Sequence, residues 1–469
     1  LLKAWSLTKA NRHKAGIIWD DYQAIIIVAC GYSLAMLSGF FRQMALAEQL
    51  GAGQPADIFL VAFALPEFIY IALPIVLLPA VIPVFARFRQ EYGENAEVKL
   101  CWYAARRISF GFTILSLVLG IFTPLFISWL SPGFNSSQKQ QAILVTWYML
   151  PAISFMGLGS LMSAALQVHR NFTISAFVTS AYNLTFVAAL YLFPVESSLT
   201  RAAFGVTLGA LMSVFIQVPS LLKYKNSRLH FNSSGIQKVD SSLFHREYSR
   251  IVHLALPLLA GYAIHHLILL VDRAMATSLG TGSAAMLDYA NHLALVGVQI
   301  SGLSVSTVIF PGLSEQLAAG NVKEAKRKLL AALRFVGFLA VPIYISLILL
   351  RQPVVKFLFE RGAFDRVATQ AVSAALVWYA VAMLADSFCQ PLWRILYAQQ
   401  SNWRVLEVNC IQTIIRFAGN LILIPSMGAL GLAVSASIGL LMQLIILSCL
   451  VLKEIGDQPH YLWQQNNSK

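Results

Sequence analysis

The chain has 469 residues, 58% of them apolar and only 12% charged, with a mean hydropathy of +0.67. A soluble domain carries about 25% charged residues, so this composition excludes disorder and argues strongly against a soluble globular enzyme. The formal net charge is +13; in so apolar a chain the excess cations read as basic loops on one membrane face rather than as a nucleic-acid footprint.

Taken in chain order, the first 22 residues are polar and basic without an apolar core, so no cleavable signal peptide is expected there. Apolar runs near twenty residues then place twelve transmembrane helices at about 24–48, 58–85, 106–131, 140–167, 172–193, 199–222, 251–278, 285–313, 329–350, 368–397, 404–424 and 428–452. Turn signals such as Gly51-Ala52-Gly53-Gln54-Pro55 and Ser426-Met427-Gly428 separate them. Short alternating segments of the membrane β-barrel kind are missing. Lysines and arginines divide 24 to 6 between the two sets of loops, which puts both termini in the cytoplasm of a multi-pass inner-membrane protein. Most of the minority lies between Arg351 and Arg366, a stretch that reads as an amphipathic interfacial helix. The five cysteines are scattered and read as inert thiols.

The second half echoes the first at an offset of about 230 residues. Gly51-Ala52-Gly53 with Asp57 matches Gly280-Thr281-Gly282 with Asp288, Trp147-Tyr148 matches Trp378-Tyr379, and Phe193-Pro194 matches Ile424-Pro425. Six helices per copy is even, so the repeats run parallel. The expected fold is an all-α membrane protein of about twelve transmembrane helices, arranged in two six-helix lobes around a central cavity. Its parts are a cytoplasmic segment 1–22, an N-lobe 23–222, a basic linker 223–250, a C-lobe 251–453 and a cytoplasmic tail 454–469.

An ionisable side chain at mid-membrane costs roughly 2.5–3.5 kcal/mol on insertion scales, so each needs a reason. The candidates for an anion-holding cavity are Arg42, Asp57, Glu67, Tyr70, Asp272, Arg273, Asp288, Asn291 and His292. Asp288, Asn291 and His292 share one helix face by their spacing. Arg334, Asp386, Glu407 and Arg416 form a second group, with Gln412, Arg416 and Asn420 making a polar stripe. The competing reading is that these charges pair and pin helices together. The His265-His266 pair lacks a third ligand nearby, so no metal site is expected. No Walker GxxxxGK[ST], HExxH or GxSxG motif is present. The chain therefore reads as a transporter rather than an enzyme, without a cofactor, driven by a coupling ion or the membrane potential.

Three stretches carry a family resemblance. They are Gly39-Phe40-Phe41-Arg42 with 51–63 and Leu65-Pro66; Val271-Asp272-Arg273 through Leu279-Gly280-Thr281-Gly282 to Leu287-Asp288-Tyr289-Ala290-Asn291; and Leu358-Phe359-Glu360-Arg361-Gly362-Ala363-Phe364-Asp365. Together they resemble the MurJ (MviN) lipid II flippases of the multidrug, oligosaccharidyl-lipid and polysaccharide exporter superfamily. The resemblance implies translocation of an undecaprenyl-pyrophosphate-linked saccharide across the inner membrane by alternating access, for peptidoglycan or a related envelope polysaccharide. It implies as partners the lipid-linked oligosaccharide pyrophosphate, the bilayer and cell-envelope synthesis enzymes, and no nucleic acid. Arg42 and Asp57 match cavity residues of the family, and Asp272 and Arg273 its helix-7 motif. Departures are Met36, the Glu67–Ile71 stretch and His292, at positions where members often carry Arg or Lys; many members also have fourteen helices where twelve are read here. An exopolysaccharide or O-antigen precursor flippase, an ion-coupled multidrug exporter and a non-transporting scaffold are the alternatives.

Overall fold

The computed structural model describes residues 30–31, 33–169, 171–226, 241–398 and 401–456. Among these the chain is helical, with short turns and no strand. Helix α1 spans 33–50; then come α2 (Gln54–Tyr92), α3 (Glu94–Leu130), α4 (Ser136–Val168), α5 (Phe172–Leu192), α6 (Ser198–Phe215) and the short α7 (Val218–Asn226). The second half has α8 (Ser241–Thr277), α9 (Ser283–Val298), a π turn over Gln299–Leu303, α10 (Ser304–Ala318), α11 (Val322–Leu349), α12 (Arg351–Phe359), α13 (Arg366–Ala398), α14 (Asn402–Met427) and α15 (Ala429–Gly456).

Ten helices among the described residues are long and apolar enough to cross a membrane. The expected first span, 24–48, lies partly outside the described residues. The seventh, 251–278, is carried by α8. The expected segment 223–250 is helical at both described ends, since 223–226 close α7 and 241–250 open α8. Hydropathy marks where a helix leaves the apolar layer, not where its hydrogen bonding stops. For the same reason α2 outruns its predicted span at both ends. The stretch from Arg351 does form a short helix, α12, with Val355 and Phe359 buried and Lys356 and Phe357 exposed.

The chain divides into two compact units. The first holds the described residues up to Gln49 together with Ile58–Trp129 and Asn135–Ala263; the second holds Leu50–Asp57, Leu130–Phe134 and the described residues from Ile264 onward.

In the first unit, α4 and α5 both pack on α6. Gly205 and Gly209 of α6 lie one turn apart, the small-xxx-small spacing that lets membrane helices approach closely. A Cβ added at Gly209 would stand 2.8 Å from the Tyr182 carbonyl oxygen, and one at Gly205 3.0 Å from the Phe186 ring. The two glycines therefore let α6 press on α5 beneath those rings. Gly209→Leu should cost about 1–3 kcal/mol by overpacking, read as a lower melting temperature in detergent; an unchanged melt would contradict the close approach. At one end of this unit Arg89 joins three helices. Its guanidinium reaches Glu94 at 3.1 Å and the Val168 carbonyl at 3.3 Å. His169 lies between Glu94 at 3.3 Å and the fully buried Glu97 at 2.9 Å. Arg87 pairs with buried Glu247 at 2.7 Å, tying α2 to α8.

Two apolar clusters among the described residues lie in the second unit. One gathers Leu313, Leu329, Leu396, Val408 and Leu447 from α10, α11, α13, α14 and α15. The other sets Val298, Val336, Tyr344 and Ala380 around α11.

Candidate functional site

Each unit presents its own polar groups. In the first, Arg42 of α1 lies over two rings of α5, with its guanidinium carbon 5.9 Å from the Tyr182 centroid and 5.8 Å from that of Phe186. No ion pair among the described residues includes it. Tyr70 of α2 stacks on Tyr182 with centroids 4.8 Å apart. One turn before Arg42, Ser38 accepts from Asn183 Nδ2 at 3.2 Å, which sets α1 against α5. Two predicted site residues, Arg42 and Tyr70, are thus brought together around Tyr182. Neither Tyr182 nor Phe186 stands out in the sequence, because an aromatic residue in an apolar run carries no charge signal. Glu67 is half-buried on α2, one residue from Phe68, whose ring lies 5.6 Å from that of Tyr262.

In the second unit the three motif stretches form one knot. Asp57 is almost fully buried and accepts the backbone N–H of Gly282 at 2.5 Å and of Ala285 at 2.8 Å. Gly282 is itself the first cap residue of α9, in the left-handed region at φ +85°, and has no side chain to cap with. The carboxylate at the start of α2 therefore performs the capping that a Ser or Asp would normally supply locally, and its charge suits the positive helix start. A Cβ at Gly282 would collide with the Ala52 carbonyl oxygen, and one at Gly51 (φ +67°) would lie 2.5 Å from that of Ala363. Tyr289 closes the knot: its hydroxyl donates to the Gly51 carbonyl at 3.0 Å, and its ring packs on Phe359 and Phe364. The structure thus places Asp57 at a helix cap. Asp57→Ala should cost about 1–2 kcal/mol and Asp57→Asn less, since one acceptor oxygen survives. Melting temperature with amide exchange at Gly282 and Ala285 checks this; equal losses in both variants would contradict it.

Two charge clusters lie further along this unit. Asp272 of α8 is paired with Arg416 of α14 and accepts from Asn420 Nδ2 at 2.6 Å. The polar stripe of α14 thus serves an acid on another helix. The next residue, Arg273, meets Asp288 of α9 at 3.6 Å, and His292 meets the same carboxylate at 3.2 Å. His292 Nδ1 also lies 3.0 Å from the Asp288 carbonyl oxygen. Asn291 is half-buried beside them on α9. The two clusters differ in kind. Asp272 is gripped by a guanidinium and an amide at short range, whereas the 3.6 Å pair of Arg273 is too long for a good hydrogen bond.

A cavity of about 490 Å³ opens beside the knot, lined by Ala52, Gly53, Thr281, Ser283, Asp365 and Ala429 among others. Its lining contains no Lys or Arg, so it offers no side-chain cation to an anionic group.

The family model described as "Lipid II flippase MurJ" matches residues 46–468. The chain belongs to this family. It is 24% identical over 448 residues to the lipid II flippase MurJ of Burkholderia cenocepacia, covering 94% of this chain and 86% of that one. It is 25% identical to the probable lipid II flippase MurJ of Vibrio cholerae, covering 90% and 81%. Among solved structures it resembles "Lipid II flippase MurJ, inward closed conformation", with a TM-score of 0.76 at 20% identity over 92% of this chain and 88% of the other. An inward-facing multidrug resistance MATE family transporter of the MOP superfamily gives a TM-score of 0.72 at 13% identity, over 95% and 100%. These structural likenesses establish the fold. Membership makes the protein a multi-pass membrane member of a flippase family, and Arg42, Asp57, Arg273 and Asp288 all fall inside or beside the matched stretch.

Proposed function

We propose that this protein translocates a lipid II-type precursor, an undecaprenyl-pyrophosphate-linked saccharide, across the inner membrane by alternating access for peptidoglycan synthesis, with both termini in the cytoplasm. The observation that carries the site is Arg42. It is a cation in a membrane protein, held on ring faces and paired with no carboxylate among the described residues. A permanent guanidinium without a counter-charge is costly in such a setting, and a pyrophosphate oxygen would supply that charge through strong, charge-assisted hydrogen bonds. Arg273, 3.6 Å from Asp288, is proposed as a second phosphate contact, with His292 beside it. Asp57 and Tyr289 hold the start of α9, and so fix the helix that carries Asp288 and His292.

Complementation tests the reading. The chain is expressed in a bacterium whose own lipid II flippase can be shut off. Growth without lysis supports a lipid II-type substrate. Lysis despite normal membrane levels of the chain opposes it. Rescue of a strain lacking an O-antigen precursor flippase instead would move the substrate to another polyprenyl-pyrophosphate saccharide.

A further inference from the structure

Arg42 is a cation held by rings rather than by an acid. Its guanidinium carbon stands 5.9 Å from the Tyr182 centroid and 5.8 Å from that of Phe186. Its buried Nε has no hydrogen-bond partner among the described residues. Tyr182 and Phe186 lie one turn apart on α5, so one helix face supplies both rings. A carboxylate in their place would attract the cation more strongly, but it would occupy N–H donors and cancel the charge. A ring face attracts the cation through its quadrupole and takes up no donor. Arg42 therefore keeps its charge and its donors for an incoming anion.

The rings are themselves fixed. Tyr70 of α2 stacks on Tyr182 with centroids 4.8 Å apart and planes 25° apart. Phe59 of α2 meets Phe186 edge-on at 6.2 Å. From α6, a Cβ at Gly209 would stand 2.9 Å from Cδ2 of Tyr182, and one at Gly205 3.0 Å from Cδ2 of Phe186. A larger residue at either position would displace a ring. Asn183, the neighbour of Tyr182, donates to Ser38 Oγ at 3.2 Å and to the Ala35 carbonyl at 3.4 Å. These bonds set the register of α5 against α1 one turn before Arg42. Tyr182 and Phe186 are each 1% exposed, whereas Arg42 is half-buried. The rings thus reach a substrate only through Arg42.

We propose that Tyr182 and Phe186 are positioning residues for substrate binding. Clamped by α2 and α6, they aim the Arg42 guanidinium and leave its N–H fork open to a diphosphate. The inference rests on the proposed role of Arg42 as a phosphate contact and names the residues that set its affinity. It does not depend on which saccharide or lipid the diphosphate carries.

The test measures equilibrium binding of radioactive farnesyl pyrophosphate, a soluble polyprenyl diphosphate, to the full chain in lipid nanodiscs, with empty nanodiscs subtracted. Tyr182→Leu and Phe186→Leu should each weaken binding by about 2- to 30-fold, the range for one cation–ring contact, with an unchanged number of sites. Tyr182→Phe keeps the ring and should recover most of the affinity lost in Tyr182→Leu. In the Arg42→Ala background, Tyr182→Leu should add no further loss, since the ring then has no cation to aim. A merely structural role would instead lower the number of sites and leave the affinity of the folded fraction as it was. The proposal is overturned if the wild type binds no farnesyl pyrophosphate, or if Tyr182→Leu and Phe186→Leu bind like the wild type. It is also overturned if Tyr182→Phe loses as much as Tyr182→Leu, or if Tyr182→Leu weakens binding equally with and without Arg42. Should Tyr182→Leu fail to fold, Phe186→Leu alone and in the Arg42→Ala background decides in the same way. Binding that follows the expected pattern, while liposomes carrying the chain move no lipid II, would refute the proposed function and leave this inference standing.

Discussion

Arg416→Ala is expected to destabilise the second unit by about 3–5 kcal/mol, the usual consequence of removing one partner of a buried ion pair. The Arg416 and Asp272 side chains are only 11% and 12% exposed, and Asn420, which also binds Asp272, is fully buried. Without the guanidinium, Asp272 keeps one amide donor and an uncompensated charge. The double variant Asp272→Asn with Arg416→Met removes both charges and should recover most of the loss, because a buried pair can be replaced by neutral groups at little cost. Melting temperatures in detergent check the pattern. A double variant as unstable as the sum of the two single variants would show that the pair is not the source of the effect.

The second large effect is on transport. Arg42→Ala and Arg273→Ala should each weaken translocation by about 10- to 100-fold, the range for losing one hydrogen bond to a charged group, with Arg42→Ala leaving the melting temperature close to wild type. The structure separates Arg42 from Arg416: Arg42 rests on rings and is paired with no carboxylate among the described residues, so it fastens no two helices with a tight charged bond. Arg42→Lys should keep part of the activity, since it keeps the charge and loses the planar, forked donor geometry. Transport rates at matched membrane abundance decide this. Wild-type rates in both alanine variants would remove these residues from the site.

The all-helical membrane class was legible in the sequence because mean hydropathy and run length are direct readouts of the apolar layer. The motif stretches around Gly51, Gly280 and Phe359 were legible too, but as signatures only. What they do together depends on Asp57 reaching an N–H 225 positions away in the chain, and periodicity carries no such pairing information. Arg416 and Asn420 were visible as one stripe on a helix; that their partner is Asp272 on α8 became visible only in three dimensions. The π turn over Gln299–Leu303 lay hidden inside a run read as one continuous span. Its trace in the sequence is the cluster Ser301-Gly302-Leu303-Ser304, whose hydroxyls can serve displaced carbonyls and whose glycine admits α13. Tyr182 and Phe186 gave no signal, because a ring that cradles a cation looks like any other apolar residue until the cation is placed.

The central claim is that the chain itself moves a pyrophosphate-linked lipid through the membrane, with Arg42 and Arg273 among its phosphate contacts. The most direct measurement reconstitutes the purified chain into liposomes carrying fluorescent lipid II on one leaflet and follows its access to a membrane-impermeant quencher. Transfer well above protein-free vesicles, reduced in both Arg42→Ala and Arg273→Ala, is the predicted result. Transfer no faster than in protein-free vesicles, with the chain shown to be folded and inserted, would contradict the account.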